Sequence, residues 1–237
     1  MGQSPISALY VSVEAGNYFW ERDTIPISMR VYHFLPANHA LDDIEKRRIK
    51  LSEIDELNDP FELWCVAQED RRIRKWLRGV KEQVGQRFGM LCFSKHWHNP
   101  VLWSHYSERH RGICLGFEVD EEYLKPVSYV TERTPISFPP TPELAQQLLF
   151  TKYRDWKYEE EWRGWFSLDE QDSTGLYFYS FNDKVQLREV IAGPLCDTAK
   201  AKIDAALKGY KDHIHIIKAR LAFTKFRVVE NKQGFRR

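Results

Sequence analysis

Short apolar runs alternate along the chain with charged helical stripes. Positions 29–34 (M-R-V-Y-H-F), 88–94 (F-G-M-L-C-F-S) and 113–119 read as buried strands. Positions 38–50 carry Leu41, Ile44 and Ile49 at near-helical spacing, with Asp42 and Asp43 in the first turn, and predict a helix. Positions 68–86 predict a longer one, with Ile73, Trp76, Leu77, Val80 and Val84 on a single stripe. Asn99 before Pro100 has the form of a helix cap, and Gly112 is the expected stop. Helices are expected over 143–153 and 198–208, strands over 189–193 and 214–229, and loops over 51–62 and 128–142. Residues 1–29 have weak periodicity and read as an N-terminal extension packing on a single domain, 30–237.

The segment 156–168 is the most informative. As a strand it would alternate faces, with Trp156, Tyr158, Trp162 and Phe166 on one side. Lys157, Glu159, Glu161 and Arg163 would share the other, and Glu160 interrupts the apolar face. A helix would also gather Tyr158, Trp162 and Trp165, but aromatic enrichment favours strand. Carboxylates two positions apart on a strand stand about 7 Å apart, so both can enter one cleft. Arg163 beside them would keep them ionised. The same row would equally serve as a structural ion-pair ladder.

Helices and strands mix without a βαβ rhythm, and no G-x-G-x-x-G occurs, which argues against a doubly wound dinucleotide fold. An α+β domain with antiparallel sheets fits better. At 43% hydrophobic and 14% aromatic residues, the chain can bury a sizeable core and still offer rings to a planar ligand. A formal net charge of +1 argues against a general polyanion binder. Cys65, Cys92, Cys114 and Cys196 are widely spaced, no basic start and apolar run opens the chain, and no stretch approaches the ~20 apolar residues of a membrane span. A reducing, cytoplasmic setting without membrane attachment is expected.

Other polar positions have weaker signatures. His33 lies within an apolar strand, where a histidine is usually structural. Asn58-Asp59-Pro60-Phe61-Glu62 reads as a turn. On a helix Trp103, Tyr106 and His110 would share a face whose polar tips edge a pocket. His96 and His98 near Cys92 and His105 match no standard zinc spacing, so no metal is expected. No G-x-S-x-G is present to suggest a hydrolase. A nucleic-acid enzyme using His96, His98 or His105 is a further possibility.

Taken together, Y-H-F, N-D-P-F-E (58–62), C-F-S (92–94), N-x-x-x-W-x-H-Y (99–106), H-x-G-x-C-x-G-F (110–117) and W-x-Y-E-x-E-W-R (156–163) resemble the bacterial domain-of-unknown-function family numbered 2971. The match runs from about 31 to 193, and the family carries no established activity. More distantly, the order His33, then Ser94 or Tyr106, then Glu159-Glu160-Glu161 is similar to ADP-ribosyltransferases. The helix after His33 and the N-D-P-F-E loop also look like the early part of DNA-modifying members of that class. This resemblance implies split antiparallel sheets around a cleft flanked by helices. It implies an NAD-using ADP-ribosyltransferase or NAD glycohydrolase, of toxin or anti-phage effector type, with a protein or nucleic-acid acceptor. Glu161 would face the developing ribosyl cation, Glu159 would prepare the acceptor, and His33 would bond the adenosine ribose or diphosphate. Tyr106 or Trp103 would stack on nicotinamide, Arg163 would orient the glutamates or contact phosphate, and Tyr32, Ser94 and Asn58 would complete the NAD-binding set. The alternative is a non-catalytic nucleotide- or protein-binding module of the same fold.

Overall fold

The computed structural model describes residues 28–235. The proposed extension therefore lies, but for Ser28 and Met29, outside the described residues. Those two belong to the first strand, β1 (Ser28–Leu35). β1 pairs along its whole length with β4 (Ile113–Asp120), from Ser28 opposite Asp120 to Leu35 opposite Ile113. β4 is central and buried on both faces, which is why I-C-L-G-F reads as one apolar run. Beyond it lie β10 (Val185–Ala192), β11 (His215–Leu221) and β12 (Val228–Glu230). The β10–β11 pair is parallel and the other pairs of this sheet are antiparallel.

On the opposite side of β1 come β3 (Phe88–Ser94), β8 (Glu161–Ser167) and β5 (Lys125–Pro126), completing an eight-stranded sheet. β3 and β8 pair in full register, Phe88 with Ser167 through Ser94 with Glu161. β1 and β3, by contrast, are joined at a single residue pair, Tyr32 with Ser94. Ser94 is the last residue of β3, so the two strands are joined only at its end and run unpaired from there toward Leu35.

Side chains of odd number on β1 and β4 face one way and those of even number the other, as the period of a strand requires. Val31, Leu115 and Phe117 meet Ile44 of α1 (Ala37–Lys46) and Ile203 of α5 (Lys200–Ala206). Phe34 and Cys114 meet Trp103 of α3 (Pro100–Tyr106). A third apolar cluster places Ile73, Leu77, Val80 and Val84 of α2 (Arg71–Gly85) against Leu148 of α4 (Pro142–Leu148) and Phe88. Asp70 caps α2 by accepting from the Arg72 amide. Among the described residues, no helix is long and apolar enough to cross a membrane.

Several expected boundaries shift, each for a local reason. The helix expected over 38–50 ends at Arg47, which adopts φ 52°, and Arg48–Lys50 forms β2, paired with β9 (Phe178–Ser180). The helix expected over 143–153 stops at Leu148. Thr151–Tyr153 then forms β7, which pairs in parallel with β6 (Ser128–Val130), inside the segment expected to be loop. α3 has the expected cap, Asn99 accepting from the Val101 amide at 2.9 Å, but it ends at Tyr106 rather than near Gly112. Glu108, Arg109 and His110 then take positive φ in succession, so His110 does not share a helical face with Trp103 and Tyr106. Gly112 instead serves close approach, since a Cβ there would lie 2.1 Å from the Leu35 carbonyl oxygen.

Candidate functional site

The parting of β1 from β3 leaves a cavity of about 300 Å³. Its walls come from elements distant in sequence: His33 on β1, Cys92 and Ser94 on β3, Tyr106 on α3, and Asn58 and Glu62 in the loop after β2. Lys152 on β7, Glu159, and Glu161 and Arg163 on β8 close it.

The segment 156–168 is not one strand. Arg154–Glu159 forms a 3-10 helix, Glu160 takes φ 44°, and β8 begins at Glu161. A residue in the left-handed region cannot continue a strand, so the expected aromatic wall and charged row do not form along one ladder. Glu159 and Glu161 are nevertheless brought together through Lys152. Its ammonium lies 2.6 Å from Glu159 Oε2 and 3.3 Å from Glu161 Oε2. Arg163 donates to Glu161 at 2.7 and 3.0 Å, to Glu62 at 2.5 and 3.0 Å, and to the Leu149 carbonyl at 3.1 Å. Those bonds engage all five guanidinium N–H groups. Arg163 therefore orients the glutamates, and the alternative role, contact with a phosphate, has no free donor to support it.

The five charged side chains are between 1 and 5% exposed. Three carboxyl groups, Glu62, Glu159 and Glu161, face two cations, Lys152 and Arg163. Burial raises Glu161, but the charges of Arg163 and Lys152 outweigh it and hold this carboxyl at about 2. Burial raises Glu159, Glu161 adds to the rise, and Lys152 only partly offsets it. Burial also raises Glu62 against the pull of Arg163, although both its oxygens are held by the guanidinium. Glu161 accepts two bonds from Arg163, one from Lys152 and one from the Cys92 thiol, filling the roughly four acceptor positions of a carboxylate. Glu159 accepts from Lys152 and from the Tyr106 hydroxyl. Half its capacity is open.

The hydroxyl of Tyr106 also accepts a 2.5 Å bond from Asn58 Nδ2. Burial, and then the Glu159 carboxylate, push the Tyr106 phenol upward, so it stays a donor. Ser94 donates to the Glu159 carbonyl at 2.6 Å and fixes the turn that presents the carboxylate. His33 Nδ1 lies 2.9 Å from the Cys92 carbonyl. A carbonyl only accepts, so Nδ1 carries the hydrogen. Burial lowers the His33 pKa, and in the neutral ring Nε2 is left as an acceptor.

One expected ligand contact is corrected, and a second lines the cavity with its hydroxyl directed elsewhere. Trp103 is fully buried, lies edge-on to Phe34 at 5.2 Å, and donates its indole N–H to the Trp97 carbonyl at 2.5 Å. It is a core residue and does not line the cavity. Tyr32 contributes to the cavity wall, but its hydroxyl engages Glu189 on the face that also carries the Arg30–Glu189 pair.

Sequence reasoning missed Lys152 and Glu62. Glu62 was visible as the last residue of N-D-P-F-E, where the turn signal obscured it. Asp59 does make that turn, accepting from the Phe61 amide at 2.9 Å. Lys152 offered no signal, because its strand pairs in parallel with a partner more than twenty positions away. His96, His98 and His105 lie outside the cavity lining. They bond or approach Glu160, the Val228 carbonyl and Tyr158 respectively. Among the described residues, no three or more His, Cys, Asp or Glu side chains gather so as to hold a metal ion.

No protein-family model, curated protein or solved structure matches the chain. The site offers a carboxylate with open acceptor capacity beside a phenol, an imidazole and a buried cation pair.

Proposed function

We propose that the cavity binds the ribosyl end of a nucleotide, with NAD as the candidate, and cleaves its glycosidic bond as an ADP-ribosyltransferase or NAD glycohydrolase does. The observation that carries this reading is that His33, Tyr106 and Glu159, from three separate elements, line one cavity. In this reading the parted sheet corresponds to the split sheets of the ADP-ribosyltransferase fold. A volume near 300 Å³ is at the small end of ligand sites, roughly 300–1,000 Å³. It suits nicotinamide and its ribose, with the remainder of the dinucleotide outside.

Glu159 carries the reaction, rather than Glu161. Breaking the bond between ribose C1′ and the nicotinamide nitrogen leaves the electron pair on nicotinamide and positive charge on the ribose. A fixed carboxylate beside that charge stabilises it. Water, or an oxygen or nitrogen of an acceptor, then bonds to C1′, and its proton passes to Glu159. Tyr106 and Lys152 hold Glu159 in place, Glu161 holds Lys152 and is itself held by Arg163, and neutral His33 accepts from a ribose hydroxyl.

The saturation of Arg163 and Glu161 favours a second reading, in which a rigid cluster only binds the nucleotide. Incubation with nicotinamide-labelled NAD, with and without DNA, RNA and cell extract, separates the two. Release of nicotinamide that is lost in Glu159→Gln, with NAD binding retained, is the expected result. Binding without release supports the second reading, and no binding removes both.

A further inference from the structure

Away from the cavity, the connection between β11 and β12 exposes two aromatic rings to solvent. Phe223 is 90% and Phe226 103% exposed. The turn itself does not require them: backbone bonds from Ala222 to Arg227 (2.9 Å) and from Arg227 to Lys225 (2.8 Å) close it. Arg220, Lys225 and Arg227 interleave with the rings, and no acidic residue occurs between Asp212 and Glu230. The Arg220 guanidinium lies over the Phe223 ring at 4.4 Å.

The hairpin is firmly anchored. The Val228 amide donates to the His98 carbonyl at 2.9 Å, and His98 Nδ1 lies 2.8 Å from the Val228 carbonyl. Phe226 and Arg227 form one bank of a groove of about 490 Å³, and His96, Asn99, Tyr158 and Glu160 line the other, with Glu160 3.9 Å from the His96 ring. The groove shares Ser94 and Leu102 with the cavity, so the two adjoin.

We propose that the hairpin and groove bind single-stranded nucleic acid. Bases stack on Phe223 and Phe226, and phosphates meet Arg220, Lys225 and Arg227. Every base presents a π-face, and that face is free only in an unpaired strand. The hairpin tip, with Arg220, Lys225 and Arg227 and no acid before Glu230 at the end of β12, supplies the complementary charge, and the one carboxylate of the groove, Glu160, stands on the opposite bank. A lipid surface would call for a continuous apolar face. Here the rings alternate with charges and border a polar groove. The inference rests on the proposed function only for what a bound strand is used for, and the surface itself is tested without NAD.

The test is fluorescence anisotropy of the full chain with labelled single-stranded DNA and RNA of about 12 nucleotides, within the site sizes usual for such surfaces. The matching duplex and anionic phospholipid vesicles serve as comparators. Single strands should bind more tightly than the duplex, and binding should weaken as salt rises. Phe223→Ala with Phe226→Ala should lower affinity at least about tenfold. Arg220→Gln, Lys225→Gln and Arg227→Gln together should flatten the salt dependence. These side chains are on the surface, so circular dichroism should report an unchanged fold. Equal affinity for duplex, undiminished binding by the double phenylalanine variant, or binding to vesicles alone would overturn the proposal. Strand binding by a chain that leaves NAD intact would reject the proposed chemistry while upholding this surface.

Discussion

Arg163 grips both carboxylate oxygens of Glu62 at 2.5 and 3.0 Å, although 101 positions separate the two residues. The pair ties the loop after β2 to β8 and shapes the cavity wall between them. Both partners are almost fully buried. Glu62→Ala takes two of the five bonds from the buried Arg163, whose charge Glu161 still faces, and unmet buried donors of this kind cost about 1–3 kcal/mol each. Urea denaturation should show that loss as a lowered midpoint with an unchanged slope. A loss under 1 kcal/mol would mean that water reaches Arg163 and that the cluster is not sealed.

Glu159 and Glu161 differ by two positions and should separate cleanly in experiment. Glu161 has its acceptor positions filled by Arg163, Lys152 and Cys92. Glu161→Gln should therefore act mainly on stability, by about 3–5 kcal/mol. Glu159→Gln should keep most of the fold and remove nicotinamide release. Parallel denaturation curves and NAD assays check both. Retained turnover in Glu159→Gln together with a stable, inactive Glu161→Gln would reverse the assignment.

Trp103 has a ring suited to stacking on a ligand, yet its indole is entirely enclosed. Trp103→Ala should lower stability by about 3–5 kcal/mol, as large-to-small changes in a packed core do. Trp103→Phe should restore part of it, lacking the bond to the Trp97 carbonyl. In both variants, binding of NAD per folded molecule should be unchanged by titration calorimetry. A selective loss of NAD affinity in Trp103→Phe would place this ring at the ligand after all.

Local signals were legible where local physics decides the outcome. The strand F-G-M-L-C-F-S emerges with the bounds its apolar run implies, because β3 is buried along almost its whole length. Asn99-Pro100 caps its helix as the residue types require. Non-local pairing was not legible. Arg48–Lys50 and Thr151–Tyr153 have unremarkable propensities and become strands because β9 and β6 lie beside them. The site follows the same division. Glu159, Glu161, Arg163 and Tyr106 stand out in sequence as polar groups among aromatics. Their link through Lys152 depends on β7, a strand without local signature, and the single strand that their spacing predicts is interrupted at Glu160.

Asp43 offers a pH test that is independent of the cavity. It lies buried on α1, and its Oδ2 has no hydrogen-bond partner. Burial, with Asp42 adding, raises its carboxyl to about 7, against smaller opposing effects of Arg48 and Lys46. Tyr210 is a further titratable group that faces it. Between the ordinary aspartate value of 3.8 and about 7, the folded chain keeps a proton that the unfolded chain has lost. Folding stability therefore falls as pH rises through that window and levels off above it. Asp43→Asn carries no such proton. The variant should match the wild type near pH 4 and exceed it at pH 8 by on the order of 2–4 kcal/mol. Other groups titrate in the same range, so the measured quantity is the difference between variant and wild-type denaturation midpoints across pH. A difference that is flat from pH 4 to 8 would show that Asp43 ionises in the folded chain as it does in the unfolded one, and that water or a cation reaches it beneath α1.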